Sequence, residues 1–274
     1  MGKAAGLSSL VRCCVWLVIA SRLTMGAFSA DSPVPLVQAH AHNDYEHPHP
    51  LMDALEQGFC SVEADIHLVN GKLLVAHDSA HLDPSRTLES LYLDPLRAII
   101  KKNGGRIYPN GPECTLLIDF KTKGEPTYAV LREVLAKYRD IFTVFRNGKK
   151  ETNALTAILT GDYSRDALAA DGIRYAAGDG KLPDLKSNPP ASLVPWISEN
   201  WAPQFKWRGK GEMNETDLVK LREIVQQAHA QGRRLRFWGA PDKLEFWKML
   251  AAEKVDLINT DDLAGFQKFA NQKP

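Results

Sequence analysis

The chain has 274 residues, enough for one large domain with a full core or for two small ones. Hydrophobic residues make up 44% and charged residues 24%, a composition that excludes a disordered chain. The net charge of +1 gives no global field for nucleic acid or an anionic membrane, so recognition of any phosphate has to be local.

Residues 1–30 read as an export signal. Lys3 and Arg12 supply positive charge, residues 13–20 form a short apolar core, and Ala27, Ser29 and Ala30 are small. The apolar run is too short to span a bilayer, and Arg22 ends it. This predicts a periplasmic or secreted protein with no stable membrane span once the signal is removed. An uncleaved N-terminal anchor is the alternative. Residues 31–274 then form one domain of the usual size of a (β/α)8 barrel.

The patterns that follow alternate between strand and helix. A short apolar run, 36–40, ends in polar residues. Residues 51–57 read as a helix closed by Gly58. Residues 60–68 read as a strand with acids at alternate positions. Asn70-Gly71 marks a tight turn, and 72–76 returns as a second strand. Helix 87–102, strand 115–120 and helix 127–138 come next. Strand 154–159, a short helix from Ser164 and strand 173–175 follow. Residues 181–190 form a Pro-rich loop, and strand 193–197 lies beyond it. Helix 215–231 is closed by Gly232, and strand 235–238, helix 244–253, strand 255–259 and helix 263–269 complete the chain. Such alternation implies parallel βαβ units, and about eight of them imply a closed TIM-type (β/α)8 barrel. An open doubly wound sheet is the alternative, but no Gly-rich fingerprint follows the first strand.

The polar residues gather at the C-terminal ends of these strands, the face that carries chemistry in such barrels. The first strand ends at His40, with His42, Asn43 and Asp44 just beyond. Glu63 and Asp65 are two apart on one strand and so point to the same side, and His67 shares their parity. Turned inward, the two acids are a costly like-charge pair unless a cation neutralises them. Asp119 and Lys121 repeat the spacing on the next strand, and His77-Asp78 ends the hairpin. Three carboxylates without a cysteine favour a hard divalent ion, Mg²⁺ or Ca²⁺. Such an ion would hold a phosphate oxygen, with Lys121 as a second positive contact. Two histidines from different loops would act as general base and general acid. The late tryptophans are core candidates by default, except Trp201, just past a strand end, which is the candidate for substrate contact. Cys60 and Cys114 each lie a few residues before an acidic strand end, and read either as a disulfide or as two buried thiols.

Three segments, VQAHAHND, DALEQGFCSVEADIHLVNGKLLVAHD and LLIDFK, resemble the glycerophosphodiester phosphodiesterase family, within the phosphatidylinositol-specific phospholipase C-like superfamily. LRFWGAPD and VDLINTDD resemble that family's seventh and eighth strands. The resemblance implies a TIM barrel and a phosphoric diester hydrolase acting on a small glycerophosphodiester or lipid headgroup, with a link to lipid metabolism. It also implies His40 and His77 as the acid–base pair, Glu63, Asp65 and Asp119 as metal ligands, Lys121 as a phosphate contact and Trp238 as a pocket wall. The family's His-Arg-Gly is here His40-Ala41-His42, so its arginine is missing and His42 competes with His40. Its Glu-Asn-Thr is replaced by EHPHPL, with Glu46 as the nearest acid. The HAHND version looks closer to a branch near the yeast mitochondrial inheritance-type proteins and the sphingomyelinase D-like enzymes. Two other readings compete. His40-x-His42 would suit a zinc amidohydrolase, but after His81 the only further histidine is His229, mid-helix. An exported barrel binding a phosphorylated ligand without turnover would need only the metal and Lys121.

Overall fold

A computed structural model describes residues 1–2 and 33–272 of the chain. The export-signal reading falls on residues 1–30, almost all of which lie outside the described residues. Eight parallel strands close into a barrel: β1 (Leu36–Ala41), β2 (Phe59–Val69), β3 (Cys114–Phe120), β4 (Leu155–Gly161), β5 (Ala176–Gly180), β6 (Trp196–Asn200), β7 (Arg234–Trp238) and β8 (Leu257–Thr260). Closure comes from β1, which pairs with β2 on one side and with β8 on the other. A TIM-type barrel is therefore the fold.

Strand periodicity divides the apolar residues into two bodies. Val62, Ala64, Ile66, Leu116, Ile118 and Phe120 face outward and join the large core between barrel and helices. Leu117, Ile158, Ala177, Trp196 and Leu257 face inward and form a separate plug inside the barrel, joined by Phe145. The sheet itself separates the two. Polar inward positions lie above the plug, towards the C-terminal strand ends, and below it.

Three local expectations need correction. The strand placed at 173–175 is not a barrel strand. Ile173–Arg174 instead pairs antiparallel with Val144–Arg146, which forms a hairpin with Lys149–Glu151 at the other end of the barrel. The fifth barrel strand is Ala176–Gly180, whose AAGDG sequence carries no strand propensity. It is held by pairing with strands on both sides. The sixth strand begins at Trp196 rather than 193, because residues 191–193 form a turn that Leu193 closes onto Pro190. The Pro-rich stretch also contains one short helix, Asp184–Ser187. No helix among the described residues is long and apolar enough to cross a membrane.

Candidate active site

Glu63 and Asp65 both enter the barrel from β2, and Asp119 enters from β3. Asp65 and Asp119 are register partners on adjacent strands, so their carboxylates leave the sheet side by side. One oxygen each from Glu63, Asp65 and Asp119 lies within 4.8 Å of the others. Lys121 folds back over the pair, its Nζ 2.8 Å from Asp119 Oδ2 and 2.9 Å from Asp65 Oδ2. Burial works against the Lys121 charge, but these two acids outweigh it and raise its pKa.

Below them, Glu63 meets an arginine that lies outside the sequence motifs. Arg236, inward on β7, donates from Nη1 to Glu63 Oε2 (3.0 Å) and from Nε to Ser198 Oγ (3.1 Å), and its Nη1 lies 2.8 Å from His40 Nε2. Burial pushes the Glu63 carboxyl up, but the guanidinium and the His40 contact outweigh it and hold it well below the usual range. His40 is wholly buried, with Nδ1 2.7 Å from Ser61 Oγ and Nε2 2.9 Å from Glu63 Oε2. Burial, reinforced by the guanidinium, lowers its pKa to about 4, so the ring is neutral. A neutral ring has one proton. Placed on Nε2, that proton goes to the ionised Glu63 carboxylate, and Nδ1 accepts from the Ser61 hydroxyl.

The loop after β1 supplies the other wall. Asn43 takes a left-handed conformation at φ 46°, which asparagine tolerates, and opens a 3₁₀ turn over Asp44–Glu46. Asp44 fixes that turn, accepting from the Leu51 amide (2.6 Å) and the Tyr92 hydroxyl (2.8 Å). The turn drives Tyr45 inward, where its hydroxyl donates to Asp65 Oδ2 at 2.6 Å and lies 2.8 Å from the Asn43 side-chain oxygen. His77, after the hairpin strand Lys72–Val75, places Nδ1 3.2 Å from the same Asp65 oxygen. His42 places Nδ1 3.0 Å from Asp261 Oδ1. Burial opposes the His42 charge, but the Asp261 bond and nearby acids prevail and raise its pKa. His42 and His77 thus share one arrangement: Nδ1 is bonded to a carboxylate and Nε2 is left to the opening. Their side chains are 34% and 58% exposed, whereas His40 has no exposure and both of its nitrogens are engaged.

Asp65 shows how well this set fits a metal. Its Oδ2 carries all the contacts described, while its Oδ1 is buried with no partner. Burial and the neighbouring Glu63 raise the Asp65 pKa to about 6, the mark of a carboxylate short of positive charge. An all-oxygen donor set with an orphaned carboxylate oxygen suits a hard divalent cation and offers nothing to a soft one. The zinc amidohydrolase reading gains no support. Among the described residues, the candidate ligand group is Glu63, Asp65 and Asp119, without a histidine.

Compared with known families, residues 28–175, just over half of the chain, match the model of the AIM6-like phosphodiesterase domain. The chain belongs to the AIM6-like phosphodiesterase family. It is 32% identical to Altered inheritance of mitochondria protein 6 of Eremothecium gossypii over 276 residues, covering 87% of this chain and 70% of that one. To the homolog in Arthroderma benhamiae it is 28% identical, covering 84% and 82%. Among solved structures it resembles a calcium-dependent phosphoinositol-specific phospholipase C from Pseudomonas sp., with TM-score 0.55, 13% identity and coverage of 86% and 93%. It also resembles a glycerophosphodiester phosphodiesterase from Agrobacterium tumefaciens, with TM-score 0.51, 15% identity and coverage of 86% and 100%. At such identities these two likenesses show the fold. At the coarse level, an AIM6-like phosphodiesterase domain on this barrel is that of a phosphoric diester hydrolase.

The AIM6-like match spans His42, Glu63, Asp65, His77, Asp119 and Lys121, but ends before Arg236. The sequence signal for Arg236 was its parity. It alternates with outward Leu235 and Phe237 and shares its side with Trp238, which stands at the strand end, 37% exposed. Tyr45 had no signal beyond its nearness to His42. Trp201 is a correction. It is wholly buried among Phe205, Phe237 and Phe246, with ring centroids 4.3–5.4 Å away, and its Nε1 donates to the Trp207 carbonyl. The short helix Trp201–Gln204 turns it into the core between barrel and helices, away from the site. His67 is buried and donates to the Ala76 carbonyl, tying the hairpin to β2. Cys60 and Cys114 are free buried thiols.

Proposed function

We propose that this protein is a metal-dependent phosphodiester hydrolase for a small glycerophosphodiester or lipid headgroup. In this reading Glu63, Asp65 and Asp119 hold one Mg²⁺ or Ca²⁺. The observation that carries it is Asp65 Oδ1, a buried oxygen with no partner inside a group of three carboxylates. The local charges support it: Glu63, Asp65, Asp119 and the buried Asp179 face Lys121 and Arg236, a balance of −2, which a divalent ion brings to zero so that a phosphodiester monoanion is not repelled. When bound, the ion would polarise a phosphoryl oxygen and offset charge developing on it.

The protein's own groups supply the rest. Lys121 Nζ lies beside the carboxylates and gives a second positive contact to the phosphate. His42 and His77 act as the proton carriers. Each has its Nδ1 proton fixed by an acid and its Nε2 lone pair free, so one takes a proton from the attacking hydroxyl while the other, protonated, gives one to the leaving oxygen. His40 passes its expected catalytic role to His42, because it is sealed beneath the carboxylates. It orients Glu63 instead. Asn43 and Trp238 line the opening on either side.

The direct test is hydrolysis of bis(p-nitrophenyl) phosphate with and without EDTA. Activity lost on chelation and restored by Mg²⁺ or Ca²⁺ is expected. Absence of metal-stimulated turnover on any phosphodiester would favour a barrel that binds a phosphorylated ligand without cleaving it. On a natural diester, ³¹P NMR separates attack by water, which gives a monoester, from attack by a neighbouring substrate hydroxyl, which gives a cyclic phosphate.

A further inference from the structure

A second cavity, of about 370 Å³, opens at the end of the barrel opposite the carboxylates. Its walls come from the N-terminal strand ends: Thr115, Thr156, Trp196 and Arg234 begin the strands on which Asp119, Thr160, Asn200 and Trp238 stand at the far end. Thr115 and Asp119 are four residues apart, about 13 Å along a strand. The apolar plug of Leu117, Ile158, Ala177, Trp196 and Leu257 lies between the two openings, so this cavity is not a branch of the first. The hairpin Val144–Glu151 hangs over it, anchored by Phe145 in the plug and presenting Gly148 and Lys150 to the space.

The charges lining this cavity do not close among themselves. Glu113 is engaged elsewhere: Oε1 accepts from the Thr143 and Thr156 hydroxyls, and Oε2 accepts from Lys150 Nζ at 2.9 Å. None of these bonds reaches Arg234. The Arg234 guanidinium stacks 5.5 Å over the Trp196 ring, and among the described residues its hydrogen bonds run from Nη2 to the carbonyls of Val37 (2.8 Å) and Asp256 (3.4 Å). No carboxylate oxygen among the described residues comes within ion-pair distance of it. Burial lowers its pKa, with the nearby acids only partly offsetting. A half-buried guanidinium held only by carbonyls and a ring carries an uncompensated charge, and the cavity at its side is where an anion would meet it. Against the balance of Arg234, Lys150 and Glu113, a single negative charge brings the site to neutrality. The volume falls in the range of small-molecule pockets.

We propose that this cavity is a second ligand site, taking a small anion whose oxyanion head, carboxylate or phosphate, meets Arg234. The site is independent of the carboxylate centre and does not rest on the function proposed for it. The test is calorimetric titration of the full chain, in EDTA, with inorganic phosphate and with butyrate. One saturable site per chain is expected for at least one probe, and the probe that binds names the head group. Carrying Asp65→Asn and Asp119→Asn together should leave this binding in place, which separates it from phosphate held at the carboxylate centre. Arg234→Gln should weaken it at least tenfold. Lys150→Glu, on the exposed hairpin, should weaken it about as much, with the melting temperature checking that the barrel stands. Metal-dependent hydrolysis of bis(p-nitrophenyl) phosphate should persist in both. Binding of neither probe to the wild-type chain overturns the proposal. So does unchanged affinity in Lys150→Glu, whether or not Arg234→Gln folds.

Discussion

Arg236 changes the electrostatics of the barrel interior more than any group that the motifs contain. Its guanidinium holds Glu63 ionised and reinforces the burial that keeps His40 neutral. The missing His-Arg-Gly arginine is thus replaced in charge, though not in place, by a residue nearly two hundred positions later. Arg236→Met should leave Glu63 buried and uncompensated, and cost about 3–5 kcal/mol in denaturant unfolding. Arg236→Lys keeps the charge but not the fork, and should weaken Mg²⁺ or Ca²⁺ binding about 10–100-fold by calorimetry while the fold stands. For the histidines, His77→Ala and His42→Ala should each lower kcat by about 10² or more. Retention within a few-fold would remove that residue from proton transfer. Asp44 gives a pH signature. Burial raises its pKa to about 6, above the ordinary carboxylate value, so the protonated form favours the folded state. Its contribution to stability is therefore greatest below about pH 4 and is lost as pH rises through 6, a span of up to about 3 kcal/mol. Asp44→Asn should remove that dependence from the difference between the two stability profiles. The acids of β2 and β3 were legible because their spacing of two fixes a common face. Arg236 was legible in parity but not in partner, since a strand's place around the barrel cannot be read from its own residues.

At the scale of elements, the strand ends act as positioning devices. Gly161 ends β4 at φ 73°, and a Cβ there would collide with Asp119 Oδ1 and the Phe120 carbonyl. Gly161→Ala is therefore expected to lower divalent-metal affinity severalfold without altering any ligand, read by the same titration. Trp201→Ala should behave in the opposite way. It removes a buried ring from an aromatic cluster and should cost about 3–5 kcal/mol of stability, with KM on bis(p-nitrophenyl) phosphate unchanged. Most helices and strands follow their sequence patterns to within a residue or two. Ala176–Gly180 does not, because its conformation is imposed by its neighbours on both sides rather than by its side chains. The trio of short antiparallel strands escaped for a similar reason: exposed, charged residues such as Lys149 and Lys150 form a hairpin only because Phe145 has a plug to enter.

For the whole molecule, a cation that binds only the folded state stabilises it by mass action. At a hundredfold excess over its Kd this amounts to about 2.7 kcal/mol. The melting temperature should rise on adding Mg²⁺ or Ca²⁺ to the EDTA-treated protein, and Asp65→Asn with Asp119→Asn should abolish the rise. The barrel class was readable from the count of βα units. The second cavity was not, because it joins strand starts far apart in sequence with a hairpin that no periodicity announces.

The strand that carries His40 and leads into His42 is the first of the barrel strands, yet one of its two edges belongs to β8, with Gln38 reaching the Val255 carbonyl across 217 positions. Asp261, which orients His42, comes later still. During synthesis, every residue up to Lys121 can emerge while this edge remains bare. Under the proposed roles, a chain truncated before β8 is expected to be catalytically silent, because the order of translation leaves His42 without its orienting acid until Asp261 has emerged.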